Sequence, residues 1–424
     1  MYPQYDLRFF PGEADKTDGM TPRLKVQNFG PIKTGYTDDD GFIPFGRMTA
    51  FCGAQGVGKS SVAKLFSTFA YLEKALMRGD VTEKHITQYN RFVNNYCAYH
   101  RIDGFFRDDT LLQYEGEAYR MVYSGRHLTV TPLGAADYVR PKILYIPAER
   151  NMLSVVSRIA KVKGIPPSLA EMLEDYLLAC RSLKGTLDLP INGVHFSYDA
   201  LNGLASIVGN DYVVRLESSA SGIQAFTPMY VVANHFYSTI SRGDDAGMNA
   251  TDAAERKKIA ARVEALLKDE TLDDAARRIL IKNIVDTANK RIVCIVEEPE
   301  QNLFPTTQRT TLNCLLRQTS LPGSRLMLTT HSPYIINYLS LAIKACSLSR
   351  RTDDSALLAR IAAVVPAEAW VSGDDVRVYE IDDDGSIRKL RTCEGMPSDS
   401  NFLNARLGEC NDLFDQLLAV EDEL

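Results

Sequence analysis

The fold of this chain is decided by the stretch Gly53-Ala54-Gln55-Gly56-Val57-Gly58-Lys59-Ser60. Its glycines let the backbone curl so that successive N–H groups face a phosphate, while Lys59 supplies charge and Ser60 offers a hydroxyl to Mg²⁺. An apolar run ends at Cys52, and residues 61–76 carry apolar side chains at helical spacing. We therefore predict a phosphate-binding loop between a strand and a helix, with residues from Gly53 to Ser61 contacting the nucleotide. An ordinary glycine-rich turn is the alternative.

Composition restricts the class of protein. The chain has 424 residues, of which 45% are hydrophobic and 24% charged, and its formal net charge is -6. This charge argues against a protein that coats DNA generally. No apolar run approaches the roughly 18 residues that span a bilayer, and residues 1–20 lack the apolar core of a signal peptide. The eight cysteines form no C-x-x-C pair, so we expect buried, reduced thiols in a cytoplasmic protein without a membrane partner.

Strand-like and helix-like segments alternate along most of the chain. This alternation predicts an α/β fold with a mainly parallel core sheet and an antiparallel N-terminal sheet. We expect a single domain over residues 1–424, with helical insertions at 150–190 and 251–290. The aromatic-rich residues 82–106 are also expected to be helical. A hairpin around Asp382-Asp383-Asp384-Gly385 and a last, acidic helix are expected within residues 376–424.

A second stretch carries two consecutive carboxylates at the end of an apolar run, Val293-Cys294-Ile295-Val296-Glu297-Glu298-Pro299-Glu300. A strand covered on both faces delivers such residues to the edge of a parallel sheet. One carboxylate can hold the water shell of Mg²⁺, and one can polarise an attacking water. We assign Glu297 to the metal, together with Ser60, and Glu298 to the water. The alternative is an acidic strand-to-loop turn.

Two helix starts carry polar residues suited to a phosphate. In Thr329-Thr330-His331-Ser332-Pro333 a strand ends and His331 is placed just before a helix, where it could contact the γ-phosphate. In Ser218-Ser219-Ala220-Ser221-Gly222-Ile223-Gln224, Ser221 and Gly222 open an apolar helix and make an anion site. A structural histidine and a plain serine N-cap are the alternatives.

Together these motifs resemble the core of ABC-type ATPases, which are P-loop NTPases. The resemblance implies that the chain binds ATP and Mg²⁺, that Glu298 and His331 serve hydrolysis, and that subunits form head-to-tail dimers. In such dimers Ser221 and Gly222 of one subunit would contact the γ-phosphate held by the other. Ile223 stands where many transporters have glycine, and Glu297 where most ABC proteins have aspartate. Both departures weaken a transporter interpretation.

A narrower resemblance is to the ATPases of the OLD (overcoming lysogenization defect) type, whose relatives serve the anti-phage systems Septu, Gabija and PARIS. It rests on the runs Asn28-Phe29-Gly30-Pro31-Ile32, Tyr145-Ile146-Pro147-Ala148-Glu149-Arg150-Asn151, Ser219-Ala220-Ser221-Gly222-Ile223-Gln224, Glu297-Glu298-Pro299-Glu300-Gln301-Asn302-Leu303-Phe304-Pro305 and Thr330-His331-Ser332-Pro333. The resemblance is specific for this ATPase group and much weaker for any one system.

The TOPRIM nuclease domain of OLD nucleases is not expected in this chain. Fewer than about 100 residues follow His331, too few for that addition. Asp382 and Asp384 form a D-x-D pair, but aspartate is favoured in such a turn for backbone reasons. We therefore expect a separate effector, with a TOPRIM nuclease as the candidate, as in a PARIS-type pair. A phage protein is the candidate trigger.

A DNA-binding repair or chromosome-organising ATPase is the alternative function. Such relatives need long coiled coils, and residues 150–190 are short and broken by Pro166-Pro167. DNA remains a candidate ligand for two basic runs, Arg140, Lys142, Arg150, Arg158, Lys161, Lys163 and Arg256, Lys257, Lys258, Arg262, Arg277, Arg278, Lys282. Solvated helix faces are the alternative interpretation for both runs.

Two more segments have candidate partners. No glutamine stands at the end of the strand 142–146, where related proteins sense Mg²⁺, and Arg150 lies near that place. We hypothesise that Arg150 faces nucleotide or a partner subunit. The acidic final helix, in turn, could dock a basic partner.

Overall fold

The computed structural model of the protein describes residues 21–134, 138–156, 162–242 and 289–421, together with Glu264 and Leu267. The strands are β1 (Arg23–Phe29), β2 (Gly35–Tyr36), β3 (Ile43–Pro44), β4 (Met48–Gly53), β5 (Phe106–Glu115), β6 (Tyr119–Ser124), β7 (His127–Pro132), β8 (Pro141–Ile146), β9 (Leu187–Asp188), β10 (His195–Asp199), β11 (Leu204–Val208), β12 (Val213–Arg215), β13 (Arg291–Glu297), β14 (Arg325–Thr330), β15 (Val376–Ile381), β16 (Ser386–Lys389), β17 (Thr392–Cys393) and β18 (Met396–Pro397). The helices are α1 (Lys59–Met77), α2 (Glu83–Thr87), α3 (Met152–Val155), α4 (Pro167–Ser182), α5 (Ser221–Ser241), α6 (Pro305–Leu316), α7 (Pro333–Ser349), α8 (Ser355–Val364) and α9 (Phe402–Glu421).

A seven-stranded sheet in the order β2-β16-β15-β4-β14-β13-β8 forms the centre. Its five strands from β15 to β8 run parallel. The next strand, β16, is antiparallel to β15, and the edge strand β2 is parallel to β16. The strands β4 and β13 are buried along their whole length, as their continuous apolar runs predict for strands covered on both faces. In register, Glu297 lies beside Thr329, and Thr330 beside Cys52. The ends of β13, β14 and β4 therefore meet at one edge of the sheet.

An antiparallel sheet in the order β3-β1-β5-β6-β7 covers α1 on the side away from the central sheet. Phe69 of α1 stacks on Tyr114 of β5 with ring centroids 5.3 Å apart. The buried Glu73 of α1 accepts hydrogen bonds from the Tyr114 hydroxyl (2.9 Å) and from the Ala118 (2.7 Å) and Tyr119 (3.1 Å) amides. These bonds fix the β5–β6 turn to the helix. The predicted fold class, α/β of P-loop type with a mainly parallel core sheet and an antiparallel N-terminal sheet, is confirmed.

The opposite face of the central sheet packs on α4, α5, α6 and α7 and on a second antiparallel sheet, β12-β11-β10-β9. Residues 150–190, expected as a helical insertion, contain α3 and α4 and end in β9. The insertion predicted at 251–290 lies outside the described residues, apart from Glu264, Leu267, Asn289 and Lys290.

Two local predictions need correction. Residues 82–106, expected to be helical, contain the short α2 and a π-helical turn at Phe92–Cys97. Tyr89 and Asn90 between them adopt φ of 54° and 53°, a left-handed conformation that interrupts a helix. Among the cysteines that the structure describes, Cys314 is half-buried and Cys393 exposed, so burial holds only for the other five.

Candidate functional site

The phosphate-binding loop lies between β4 and α1, as predicted. Gly53, Gly56 and Gly58 have φ of 140°, 79° and 112°, values that residues other than glycine rarely adopt. A Cβ at Gly53 would lie 2.4 Å from the Ile381 carbonyl oxygen, and one at Gly58 2.9 Å from Ile32 Cγ1. Nothing lies within 4 Å of the Cβ position of Gly56, which is exposed. The loop is thus closed toward the core and open on the side where a ligand would enter.

Lys59, the first residue of α1, is only 5% exposed. Its Nζ donates hydrogen bonds to the carbonyls of Gly53 (3.0 Å) and Ala54 (2.6 Å), and it lies 3.3 Å from His331 Nδ1. Burial lowers the pKa of Lys59 to about 8. The loop carbonyls therefore hold a buried amine at the mouth of the loop, where a phosphate would restore the charge balance.

The two carboxylates at the end of β13 enter different surroundings. Glu298 adopts a left-handed φ of 45°, and its amide donates to the Thr329 carbonyl at 2.9 Å. Its Oε1 lies 3.2 Å from His331 Nε2, and its side chain is 34% exposed. The hydrogen bond with His331 is the largest cause that lowers the pKa of Glu298. Glu298 therefore presents an ionised, partly exposed carboxylate that can accept a proton.

Glu297 turns instead toward β8 and is 3% exposed. Its Oε1 accepts a hydrogen bond from the Tyr145 hydroxyl at 2.5 Å, and its Oε2 accepts from the Ala148 amide at 3.3 Å. Lys64 Nζ lies 4.0 Å from Oε1. Each carboxylate oxygen keeps a second lone pair.

The donors near the phosphate-binding loop can be compared with those that Mg²⁺ prefers. In the described part of the chain no group of three or more His, Cys, Asp or Glu side chains could hold a metal by itself. Mg²⁺ usually keeps several waters and takes one or two carboxylates plus substrate phosphates, so such a group is not needed. The Ser60 hydroxyl and the Glu297 carboxylate are donors of the kind that such a site uses, and their role in holding Mg²⁺ stays a prediction.

Glu300 is a site residue whose role the sequence analysis missed. Its Oε1 accepts hydrogen bonds from the Thr330 hydroxyl (2.8 Å) and the His331 amide (2.6 Å), and burial raises its pKa. The Ser332 hydroxyl accepts from the Tyr334 amide and so caps α7. These contacts hold His331 between Lys59 and Glu298. In the sequence, Glu300 is visible as a third glutamate in the run that begins at Val293, two residues after Glu298, and no role was assigned to it.

Arg150 faces neither nucleotide nor a partner surface, so that hypothesis was wrong. The residue is fully buried, and its guanidinium donates to four backbone carbonyls. These belong to Pro147 (3.2 Å), Ala225 (3.2 Å), Glu297 (2.7 Å) and Glu298 (2.6 Å). Burial lowers the pKa of Arg150 to about 10. Arg150 therefore joins the end of β8, the carboxylate turn and α5 inside one subunit.

The helix α5 begins at Ser221, as predicted, and Ser221 is exposed. A Cβ at Gly222 would lie 2.8 Å from the Asn302 carbonyl oxygen, so glycine lets α5 approach the turn after the carboxylates. Gln224 Nε2 donates to the carbonyls of Leu216, Glu217 and Ser219 and fixes the chain before the helix. No hydrogen bond joins Ser221 to the phosphate-binding loop within the described chain. The role of Ser221 and Gly222 across a subunit interface stays a prediction.

The predicted hairpin turn around Asp382 is present. Asp384 Oδ1 accepts from the Ser386 amide at 2.8 Å, and the Gly385 amide donates to the Asp382 carbonyl at 3.0 Å, which confirms the turn.

In the first basic run, Lys142 is fully buried and lies 2.7 Å from Asp175 of α4. With Arg150 also buried, these two residues cannot form the predicted basic surface. Arg158 and Lys161 of that run, and the whole second run, lie outside the described residues.

Tyr145 is expected to position Glu297. In Tyr145→Phe the aromatic ring stays, but Glu297 Oε1 loses its 2.5 Å donor. Loss of one charge-assisted hydrogen bond, about 2 kcal/mol, should raise the Mg²⁺ concentration needed for half-maximal ATP hydrolysis about tenfold or more. Titrations of ATPase activity with Mg²⁺ measure this. The matched control is Tyr89→Phe at a residue that is 80% exposed. An unchanged Mg²⁺ requirement in Tyr145→Phe would contradict a metal role for Glu297.

The chain was compared with known proteins. No protein-family model matches the sequence, and no curated protein matches it. Among solved structures, the SMC head domain from Thermotoga maritima is similar with a TM-score of 0.35 and 9% identity, covering 88% of this chain and 100% of that one. An Smc head domain with an extended coiled coil, bound to the C-terminal domain of ScpA derived from Pyrococcus furiosus, has a TM-score of 0.34 and 10% identity over 93% and 99%. An ATP-binding cassette of an ABC transporter, in its ADP conformation, has a TM-score of 0.29 and 12% identity over 89% and 92%.

At these identities and scores the likenesses assign no residue roles, which rest on the geometry of this chain. Within the described residues, no helix combines the length and the apolar character that crossing a bilayer requires.

Proposed function

We propose that this chain binds and hydrolyses ATP with Mg²⁺, as one ABC-type ATPase domain. The observation that carries the proposal is the line of three side chains at the edge of the central sheet. His331 lies 3.3 Å from Lys59 and 3.2 Å from Glu298. It thereby connects the residue suited to bind phosphate with the residue suited to activate water.

The roles follow from these contacts. The backbone amides from Gly53 to Ser61 and the Lys59 amine bind and orient the β and γ phosphates. Glu298 accepts a proton from the attacking water, since its carboxylate is ionised and partly exposed. His331 positions Glu298 through Nε2 and, beside Lys59, is proposed to contact the γ-phosphate. Mg²⁺, when bound, supplies charge neutralisation, and Ser60 and Glu297 would hold it.

Lys59→Ala is expected to weaken ATP binding about 30-fold or more, because charge-assisted hydrogen bonds to phosphate worth at least about 2 kcal/mol are lost. Titration with a fluorescent ATP analogue measures the affinity. Lys84→Ala, at an exposed lysine on α2, is the control, and it should leave the affinity unchanged. Binding by Lys59→Ala equal to that of the unchanged chain would refute the site.

We further propose that two chains sandwich ATP head to tail, with Ser221 and Gly222 of one contacting the γ-phosphate held by the other. The exposure of Ser221 at the start of α5 supports this arrangement. So does the neighbouring turn, where Phe304 is 72% exposed. Exposed polar and aromatic residues placed side by side are suited to a subunit interface.

The biological role we propose is that of a cytoplasmic sensor or scaffold in a bacterial anti-phage system, which controls a separate effector such as a TOPRIM nuclease. The OLD-like motifs support it, and a phage protein is the proposed trigger. Burial of Lys142 and Arg150 reduces the basic surface available to DNA, which weighs against the repair alternative.

Purification of the Glu298→Gln variant with its bound partners from the native host tests this role. Slow hydrolysis should hold the assembled state, so the effector should co-purify in the presence of ATP and be depleted in a Lys59→Ala, Glu298→Gln double variant. A nuclease in the preparation is the expected result. Chromosomal DNA with repair factors, in its place, would favour the alternative.

A further inference from the structure

The base of the last helix, α9, is fixed next to the candidate site. The amide of Phe402 donates a hydrogen bond to Glu380 Oε1 at 2.5 Å, and Glu380 is fully buried on β15. Glu380 pairs in register with Cys52, the residue before Gly53. The side chains of Asn404 and Asn337 exchange hydrogen bonds of 3.2 and 3.3 Å, which ties α9 to α7. The helix therefore starts from the strand beside the loop strand and from the helix that follows His331.

Beyond this base, α9 shows a long apolar face to solvent. Its large apolar side chains are between 42% and 67% exposed, namely Leu407, Leu413, Phe414, Leu417, Leu418 and Val420. Spacings of three, four and seven residues place them on one side of the helix. The segment 407–421 is about 21 Å long at 1.5 Å per residue. Single exposed apolar residues are ordinary, but a contiguous stripe of this size marks an interaction site.

The charges of the same segment indicate which partner fits. Residues 407–421 contain four acids, Glu409, Asp412, Asp415 and Glu421, and no Lys or Arg. At 100° per residue, Asp412 and Asp415 lie opposite the apolar face, whereas Glu409 borders it and Glu421 lies within it. A second, parallel copy of α9 would bring each of these last two acids next to its counterpart, where opposite charges stabilise paired helices. An anionic membrane would repel the helix, since surface-binding helices are rich in Lys and Arg. An amphipathic helix with basic flanks satisfies both the apolar face and the charge.

We propose that α9 is a docking helix for an amphipathic helix of a partner protein that carries Lys or Arg beside its apolar face. The proposal rests on the proposed function only in identifying that partner with the effector. Docking itself requires neither ATP nor hydrolysis. The base contacts at Glu380 and Asn337 would hold the partner within reach of the nucleotide site.

The test uses the full chain and two synthetic amphipathic peptides that share one apolar sequence, one with lysine flanks and one with glutamate flanks. Fluorescence anisotropy should show the lysine peptide binding about tenfold tighter or more, with the difference shrinking at high salt. Leu413→Asp with Leu417→Asp should weaken binding of the lysine peptide at least about tenfold. Gln416→Asp, which adds one negative charge outside the apolar stripe, should leave binding of the lysine peptide unchanged or tighter. Thermal unfolding should be unaffected, because the substituted residues are exposed.

Three results would overturn the proposal. Equal binding of both peptides would show that charge does not select the partner of α9. Analytical ultracentrifugation without nucleotide tests whether the chain forms a dimer. If Leu413→Asp with Leu417→Asp dissociated such a dimer, the occupant of α9 would be a second copy of the chain. Binding of the chain to phosphatidylserine vesicles that requires Leu413 and Leu417 would identify a membrane. Lys59→Ala should lose ATP binding and keep peptide binding. The two measurements therefore report separately on the proposed function and on the docking helix.

Discussion

Glu298→Gln is expected to lower kcat for ATP hydrolysis by about 10²–10⁴-fold, because an amide cannot take the proton of the attacking water. The substitution keeps the size of the side chain and a hydrogen bond to His331, 3.2 Å away. The lowered pKa of Glu298 means that the carboxylate is ionised and ready to act near neutral pH. ATP affinity should change by less than about threefold, since removing one negative charge near the phosphates does not weaken their binding. Single-turnover assays and equilibrium binding separate the two effects.

Glu149→Gln provides the matched control. Glu149 is exposed and follows β8, in the region where related proteins place a residue that senses Mg²⁺ and water. The same substitution there should leave kcat within about twofold, as expected for a surface change away from the chemistry. If Glu149→Gln abolished hydrolysis and Glu298→Gln did not, the base would be Glu149 and our assignment would be wrong.

The Glu298→Gln variant should also accumulate an ATP-dependent dimer. Hydrolysis normally ends the closed state, so slow hydrolysis prolongs it. Sedimentation velocity with ATP should show the dimer, and Ser221→Arg in the same background should dissociate it through a steric and electrostatic clash at the exposed start of α5. A dimer that persists with Ser221→Arg would show that α5 lies outside the interface.

Arg150→Met is expected to lower the free energy of unfolding by about 3–5 kcal/mol. Methionine fills part of the volume but donates no hydrogen bond, so four bonds to backbone carbonyls are lost at about 1 kcal/mol each. The Pro147 and Glu298 oxygens keep their bonds from the Arg150 and Gln301 amides. Arg150→Lys should recover only part of this loss, because a single ammonium cannot reproduce the planar fork that spans Pro147, Ala225 and the carboxylate turn. Urea unfolding monitored by circular dichroism measures the change.

The control for this second prediction is Arg360→Met on α8, where the arginine is exposed. It should change stability by less than about 0.5 kcal/mol. Any folded Arg150→Met protein should also hydrolyse ATP more slowly, since the Glu297 and Glu298 carbonyls lose their anchor. A loss of stability below about 1 kcal/mol would mean that water replaces the guanidinium, and the link between β8, α5 and the carboxylate turn would then be minor.

Local patterns in the sequence determined much of the fold. The phosphate-binding loop, the apolar strands β4 and β13 and the hairpin of β15 and β16 were all predicted within a few residues. Each depends on interactions between near neighbours, such as the sign of φ at glycine or the continuous apolar run of a strand covered on both faces. The same rules failed at residues 82–106, where two successive left-handed residues interrupt a helical pattern that composition alone suggested.

The tertiary structure decided how the site is assembled. Tyr145 and Glu297 are 152 positions apart, and Lys59 and His331 are 272 apart, yet each pair lies within hydrogen-bonding distance. Arg150 is charged and lies near the end of the strand 142–146, where related proteins sense Mg²⁺. The sequence therefore favoured a surface role for it. Four carbonyls from three separate segments converge on its guanidinium instead. The sequence by itself determined that a phosphate loop, two carboxylates and a histidine are present. Only the packing of distant strands determined which of them touch, because a buried polar group takes whichever partners the fold brings within reach.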